Sequence, residues 1–410
     1  MSSENIDSLI SRSKYLFKQV YGGEAEIITS APGRLNFGGE HCDYMGGYVL
    51  PFPTVLVGVV AGRRVEGKRC RVYSESFKEM IEFDGDDSLK RGPKGEWGNY
   101  FKGVTHFYLP EMPNGYLGYD VVYVSNVTIG GGISSSAAVE VGLMKISMCL
   151  FIEQCLGIQM DPKDRAMRGY HAEHEYVQMP CGVMDQLISS CGQYGKISLI
   201  DCISHDITHF DINPASTSTD THREWPVTIL KLFVHYTERV KECLEGERLL
   251  KEKYNVNGEE PVKALCRGPT LEMLANMKEE MPKNVYDRCY HMIRETQRTL
   301  SYVDLILAGN WKEIGRLFFE SYDDSRDFFQ NGHPDITTCI EVLRELEEDG
   351  VYGARMLGGG WGGSILCLIE KGKETSLIPR IQEMCDKRLK RQNSCDILIV
   401  TESGSGARIH

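Results

Sequence analysis

This 410-residue chain contains no C-x-x-C pair, although it has 14 cysteines. That absence argues against zinc-ribbon and dithiol redox motifs and favours scattered reduced thiols in a cytosolic protein. No stretch approaches the roughly 20 apolar residues that cross a bilayer. The opening residues, MSSENID, lack the basic and apolar regions of a secretory leader. Excess positive charge is missing too: the formal net charge is −12. A general binder of nucleic acid or anionic membrane is therefore not expected, and any phosphate must be held by local donors. What remains is an ordinary globular composition, 41% hydrophobic and 25% charged. The length suits about two domains, each with its own core. There is no internal repeat and no low-complexity linker.

Ile6, Leu9, Ile10, Leu16, Phe17 and Val20 recur at helical spacing, and Gly22-Gly23 stops that helix. Residues 26–30 (EIITS) read as a strand, with Pro32-Gly33 marking a turn. Residues 54–61 read as a buried strand, 70–76 and 120–126 as further strands, and 92–95 as a turn before a helix starting near Trp97. Later strands are expected at 227–234, 364–369 and 395–401, the last two flanking a helix over 375–391. Phe318, Phe319, Phe328 and Phe329 read as core. The acidic run 345–349 reads as a solvated helix end, with the basic run 387–391 as its counterpart.

Three stretches carry chemistry. Residues 31–50, APGRLNFGGEHCDYMGGYVL, set Arg34, Glu40, His41 and Asp43 among glycines and asparagines at a strand-to-loop edge. Carboxylates and imidazole bond hydroxyls well, so the cluster suits a polyhydroxylated ligand; a polar surface loop with an incidental charge pair is the alternative. In residues 127–142, VTIGGGISSSAAVEVG, Gly130, Gly131 and Gly132 let the backbone approach a ligand. Ser134, Ser135 and Ser136 then open a helix to about Leu156 that is apolar on nearly every face. A glycine loop feeding a helix N-terminus can cradle phosphate, and a serine there can reach Mg2+. The alternative is a glycine turn with a serine N-cap; neither a Walker A loop nor a GxGxxG loop is present. In the third stretch, Asp161-Pro162 caps a helix that carries Glu173, and residues 180–190 read as a short helix carrying Asp185 and Gln186. Asp185, embedded in an apolar run, is either a satisfied core carboxylate or a catalytic one.

Together with residues 356–364 (MLGGGWGGS), these stretches resemble, in order, the three motifs of the GHMP superfamily of small-molecule kinases, and most closely those of galactokinases. AEH followed by PCGVMDQ, the WGNYFKGV stretch, Glu320-Ser321 with Arg326-Asp327, and Gly406-Ala407-Arg408 fit as well, so the similarity spans nearly the whole chain. The resemblance implies an α+β, two-domain GHMP kinase fold. A mixed-sheet domain (1–215) and an α/β sandwich (216–410) would flank the active-site cleft. It implies a cytoplasmic, monomeric sugar 1-kinase converting ATP and galactose to galactose 1-phosphate and ADP, with Mg2+ and no macromolecular partner. By the same resemblance Asp185 faces the anomeric hydroxyl beside Arg34, and Glu40, His41, Asp43 and the Gly182 backbone hold the other hydroxyls. Gly130, Gly131, Gly132, Ser134, Ser135 and Ser136 would wrap the ATP phosphates, with Gly359 and Gly360 lining the phosphate side. Ser136 and Glu173 would complete the Mg2+ shell, and Trp97 would lie near the adenine.

The residue types agree with that chemistry. Phosphoryl transfer asks for positioning and charge neutralisation more than for a strong base. A carboxylate beside an arginine stays ionised, and the arginine can also meet charge developing on the transferred phosphate. Departures from the family pattern include Gly38, Cys42 and Met45, none of which carries chemistry, and also Thr128, Leu357 and Ser364. The segment YTERVKECLEGERLLKE at 236–252 departs more, placing Glu242 and Leu249 where galactokinases have a histidine and a sugar-side tyrosine. N-acetylgalactosamine and L-arabinose therefore stand as alternative substrates. A non-catalytic sugar and ATP sensor is a further alternative, opposed by the intact serine loop. A kinase for a non-sugar alcohol is opposed by Glu40-His41-x-Asp43.

Overall fold

A computed structural model describes residues 5–126, 137–212, 237–361, 364–390 and 403–410. Helix α1 (Ile6–Tyr21) is capped by the Asn5 side chain on the Ser8 amide and ends at Gly22, as its spacing predicts. Strands β1 (Ile27–Asn36), β2 (Tyr48–Val49), β3 (Pro51–Val65), β4 (Arg69–Ser74) and β5 (Glu79–Asp84) follow. Helix α2 (Gly98–Tyr108) and strand β6 (Gly118–Ser125) lead to helices α3 (Ala137–Leu156), α4 (Pro162–His171) and α5 (Met184–Cys191), then β7 (Lys196–Asp201) and β8 (Ile207–Asp211). The rest supplies α6 (Thr237–Tyr254), α7 (Leu271–Ala275), α8 (Lys283–Leu307), α9 (Trp311–Asp324) and α10 (Pro334–Glu345). Strands β9 (Val351–Leu357) and β10 (Ser364–Ile369), helix α11 (Glu374–Leu389) and strand β11 (Arg408–Ile409) end it.

The main sheet has six strands in the order β11-β1-β3-β6-β4-β5. Only the β4–β6 pair is parallel, so the sheet is mixed. Its apolar residues alternate between two faces. Val57, Val59, Ala61, Val122 and Val124 pack on Leu9 and Phe17 of α1. Val60, Val121 and Tyr123 pack on the opposite side against Phe101 of α2 and Met148, Phe151 and Ile152 of α3. Buried on both faces, β3 reads as a near-continuous apolar run. The terminal strand β11 returns to this sheet, with Thr29 opposite Ile409. The last residues of the span drawn as 216–410 therefore belong to the first half's sheet.

In the second half, β9 and β10 form an antiparallel pair between two cores. Leu357, Leu366 and Leu368 face Leu35, Phe37, Phe52 and Phe318. Met356, Ile365, Cys367 and Ile369 face the apolar sides of α10 and α11. This strand pair between helices is the expected sandwich, and the first of its cores joins the halves. Phe318, Phe319 and Phe329 are buried as expected, whereas Phe328 is half-buried against Tyr290. Arg388 pairs with Glu345, joining the basic run to the acidic helix end.

Three local expectations are corrected. Pro32-Gly33 makes no turn: β1 runs through it, and the register slips between Pro32 and Arg34 as a bulge, one of the few places a strand accepts proline. The helix expected over 180–190 begins only at Met184. Glu173 lies not in α4 but in the wider π-helical turn Ala172–Val177 that continues it. The strands expected at 227–234 and 395–401, and the loop from Gly130 to Ser136, lie outside the described residues.

Candidate active site

The bulged end of β1 aims Arg34 at the first turn of α5. Arg34 Nε donates to Asp185 Oδ1 at 2.7 Å, and Nη2 lies 3.4 Å from Oδ2, a two-pronged approach. The Arg34 side chain is only 8% exposed and that of Asp185 is 20% exposed, so the carboxylate is the open member of the pair. Its position at the start of α5 also sets it at the positive end of the helix dipole.

A Cβ at Gly182 would sit 2.0 Å from Asp43 Oδ2, so only glycine lets this backbone lie against that carboxylate. Asp43 is half-buried. Burial, followed by the charge of nearby Asp185, pushes its carboxyl up to about 7, with Arg34 opposing. Gly182, Asp43, Arg34 and Asp185 thus share one spot, as the resemblance implies.

Glu40 and His41 do something the sequence does not announce: they tie the first motif to the third. Glu40 accepts from Asn36 Nδ2 at 2.7 Å and from the Gly358 amide at 3.0 Å. His41 takes a left-handed φ of 65°, uncommon for a side chain of its size. Its Nε2 reaches the Gly359 carbonyl at 3.1 Å and its Nδ1 meets the Tyr44 hydroxyl at 2.8 Å. Burial, reinforced by Arg239 and opposed by the Gly359 contact, pushes the imidazole down to about 4. The neutral ring therefore donates from Nε2 and accepts at Nδ1. Gly360 packs on Asn331, where a Cβ would fall 2.5 Å from the amide nitrogen.

A buried charge network supports this strap from behind. Glu295 of α8 accepts from the Gly39 amide at 3.0 Å, Ser321 Oγ at 2.9 Å, Arg355 Nη2 at 2.9 Å, and Arg298. Arg355 also donates to the Phe37 carbonyl at 2.6 Å. Burial alone would raise the Glu295 carboxyl, but Arg355 and Arg298 hold it well below the usual carboxylate range. Glu295, Arg355, Asn36 and Asn331 escaped the sequence reading. Glu295 meets Gly39 across 256 positions of sequence and Arg355 meets Phe37 across 318, and only the Ser321 match hinted at this region.

Trp97, expected near the adenine, is half-buried, stacks on Phe77 with ring centroids 5.2 Å apart, and donates to Glu79 at 3.1 Å. Gly130, Gly131, Gly132, Ser134, Ser135 and Ser136 are outside the described residues. Glu173 does not fit a metal shell as the fold presents it. Its carboxylate is buried, and its Oε2 already receives Lys145 Nζ and, at 2.6 Å, Gln186 Nε2. A divalent ion on that oxygen would lie next to an ammonium. Each pair of like unit charges 4 Å apart costs about 4 kcal/mol at an effective dielectric of 20. Among the described residues there is no cluster of three or more metal-ligating side chains.

The divergent segment becomes α6. Glu242 pairs there with Arg288 at 2.7 Å and with Asn284 at 2.9 Å, and Leu249 packs against the core that includes Cys42 and Met184. Arg239 of the same helix lies 5.6 Å from the Trp361 ring centroid.

The fold thus brings together an arginine–aspartate pair, a second carboxylate and two distant glycine motifs, and the class comes from comparison with known proteins: the chain is a GHMP kinase. Residues 99–193 match the GHMP kinase N-terminal domain and 302–387 the GHMP kinase C-terminal domain. Residues 15–64 match the galactokinase galactose-binding signature. The chain is 32% identical to the galactokinase of Bos taurus over 386 residues, 92% of each chain, and equally similar to that of Homo sapiens. The fold is similar to that of Lactococcus lactis galactokinase complexed with galactose, with a TM-score of 0.82 and 22% identity over 97% of this chain and 99% of that one. A mevalonate kinase follows at 0.57 and 12% identity, covering 93% and 97%. The chain belongs to the galactokinase family.

Proposed function

We propose that this chain is an ATP-dependent sugar 1-kinase whose substrate is galactose, yielding galactose 1-phosphate and ADP. The observation that carries the reading is the Arg34–Asp185 pair, open on the Asp185 side and abutting Asp43 and Gly182. In the proposed reaction Asp185 accepts the proton of the anomeric hydroxyl as its oxygen attacks the γ-phosphorus. Arg34 fixes the carboxylate and faces the charge developing on the transferred group. Asp43 binds other hydroxyls of the sugar. Glu40 and His41 hold residues 358–360 over the pocket, and Glu40, with an acceptor site still open on each oxygen, meets further sugar hydroxyls. The loop from Gly130 to Ser136 receives the ATP phosphates, and Trp97 borders the adenine. Mg2+ is the divalent ion that neutralises phosphate oxygens in such chemistry.

We take the enzyme to act as a cytoplasmic monomer of two units meeting near residue 215. The 13 described cysteines, all unbridged, support a reducing compartment. Among the described residues no helix is long and apolar enough to cross a membrane. A non-catalytic sensor stays in view as a second reading, because Lys145 occupies the Glu173 carboxylate. One panel decides. ATP consumption is measured with galactose, N-acetylgalactosamine, L-arabinose, glucose and mevalonate, and the product is read by phosphorus NMR. Galactose is expected to give an anomeric phosphate; no response to any sugar leaves the sensor reading.

A further inference from the structure

Two charged residues interrupt the apolar, buried described stretch of α3. One, Glu153, is matched within the wall of the fold, receiving Arg165 at 2.8 and 2.7 Å and the Tyr108 hydroxyl at 2.9 Å. The other, Lys145, has no exposed surface and pairs with Glu173, which is itself buried. Gln186 completes the group, donating to the same Glu173 oxygen at 2.6 Å, and it directly follows Asp185 on α5. Lys145 and Glu173 are therefore matched inside the protein, and the amide that joins them belongs to the residue next in sequence to the carboxylate assigned to the sugar.

We propose that Lys145 is a built-in cation of this active site: its ammonium takes the place on Glu173 that the family resemblance gives to the divalent ion. Glu173 is then not a ligand of the ion that accompanies the nucleotide phosphates. This rests on the kinase reading of the site. The physical case is direct. A buried carboxylate needs one compensating charge, and Lys145, which has no exposed surface, supplies it. A second cation on the same oxygen meets repulsion undiluted by solvent. Lys145 is in these terms a positioning residue. Through Glu173 and Gln186 it ties α3, which follows the phosphate loop, to α5, which bears Asp185.

The test uses the full chain and a metal readout that does not depend on turnover. Mn2+ is titrated into nucleotide-free protein and followed by electron paramagnetic resonance. The Mg2+ concentration giving half-maximal ATP consumption is measured in parallel. Wild type is expected to bind Mn2+ weakly, and Glu173→Gln to leave both the Mn2+ titration and the half-saturating Mg2+ within about twofold, whatever its turnover. Lys145→Met exposes Glu173 to metal and is expected to tighten Mn2+ binding about tenfold. If that variant does not fold, Lys145→Met with Glu173→Gln removes both charges together and is expected to fold with the wild-type Mg2+ requirement. A rise of about tenfold in half-saturating Mg2+ on Glu173→Gln, in either background, overturns the proposal. So does nucleotide-free Mn2+ binding in wild type that Glu173→Gln abolishes. The Mn2+ titration reads Lys145 even where no sugar is phosphorylated, so failure of the kinase reading shows up separately.

Discussion

Replacing Asp185 by asparagine keeps the shape of the side chain and removes its charge. The retained Oδ1 still accepts from Arg34 Nε at the present 2.7 Å, while the new amide faces Nη2, now 3.4 Å from Oδ2, donor to donor. The structural loss is thus the weaker prong of a charge-assisted pair, about 1.5–3 kcal/mol at full burial. Two features reduce it. The Asp185 side chain is 20% exposed, so water can meet the amide. Asp43, whose carboxyl is held up partly by the Asp185 charge, also loses a like-charged neighbour. A net folding cost of about 1 kcal/mol is expected. Chemistry suffers far more, because the amide cannot take the hydroxyl proton; general-base removal typically costs about 10²–10⁴-fold. The expected result is a fall in kcat of about a thousandfold, ATP binding by calorimetry unchanged within about twofold, and a melting temperature lowered by a few degrees. Turnover within about tenfold of wild type would remove Asp185 from the role of base. Loss of ATP binding and folding along with activity would make it the core carboxylate of the alternative reading.

Arg34→Lys keeps the charge but not the fork, so kcat is expected to fall about a hundredfold with the KM for ATP little changed; steady-state kinetics within threefold of wild type would refute this. Asp43, with its carboxyl pushed up to about 7, is partly protonated near neutrality, and hydroxyl donors of a bound sugar favour its charged form. Galactose binding near that pH should therefore release protons, seen as a buffer-dependent heat in calorimetry, and Asp43→Asn should abolish the dependence. His41 is held at about 4 and His291, by burial first, at about 3, both below the 6.5 of a free imidazole. Between those limits the unfolded chain binds more protons, so the stability these rings contribute above pH 6.5 is lost as pH falls toward 4. Asp43 acts in the opposite sense, favouring the fold as pH drops from about 7. Urea unfolding at pH 7 and pH 5 should show a net acid loss of about 1–2 kcal/mol, cancelled or reversed in His291→Asn; an unchanged midpoint would refute the histidine assignment.

How much of this was legible in the chain depends on where each partner lies. Helix α1 and the apolar strands were readable because periodicity and capping are local, as Asn5 and Gly22 show. The Arg34–Asp43 cluster was readable as residue types, whereas the ties that two of its members make to the third motif were not. Glu40 and His41 meet residues 358 and 359 across 318 positions of sequence, and no local pattern shows these contacts. Pro32 misled because its missing amide serves a turn or a bulge equally well, and only the pairing with β3 decides. Lys145 is the more instructive omission. In a helix read as apolar on nearly every face, a single lysine must either break the burial or have a counter-charge waiting on another element. That constraint was present in the sequence and pointed to a carboxylate somewhere in the fold. It could not say which one, and the choice between Glu173 and any other acid is what turns a packing detail into a statement about how the site manages its cations.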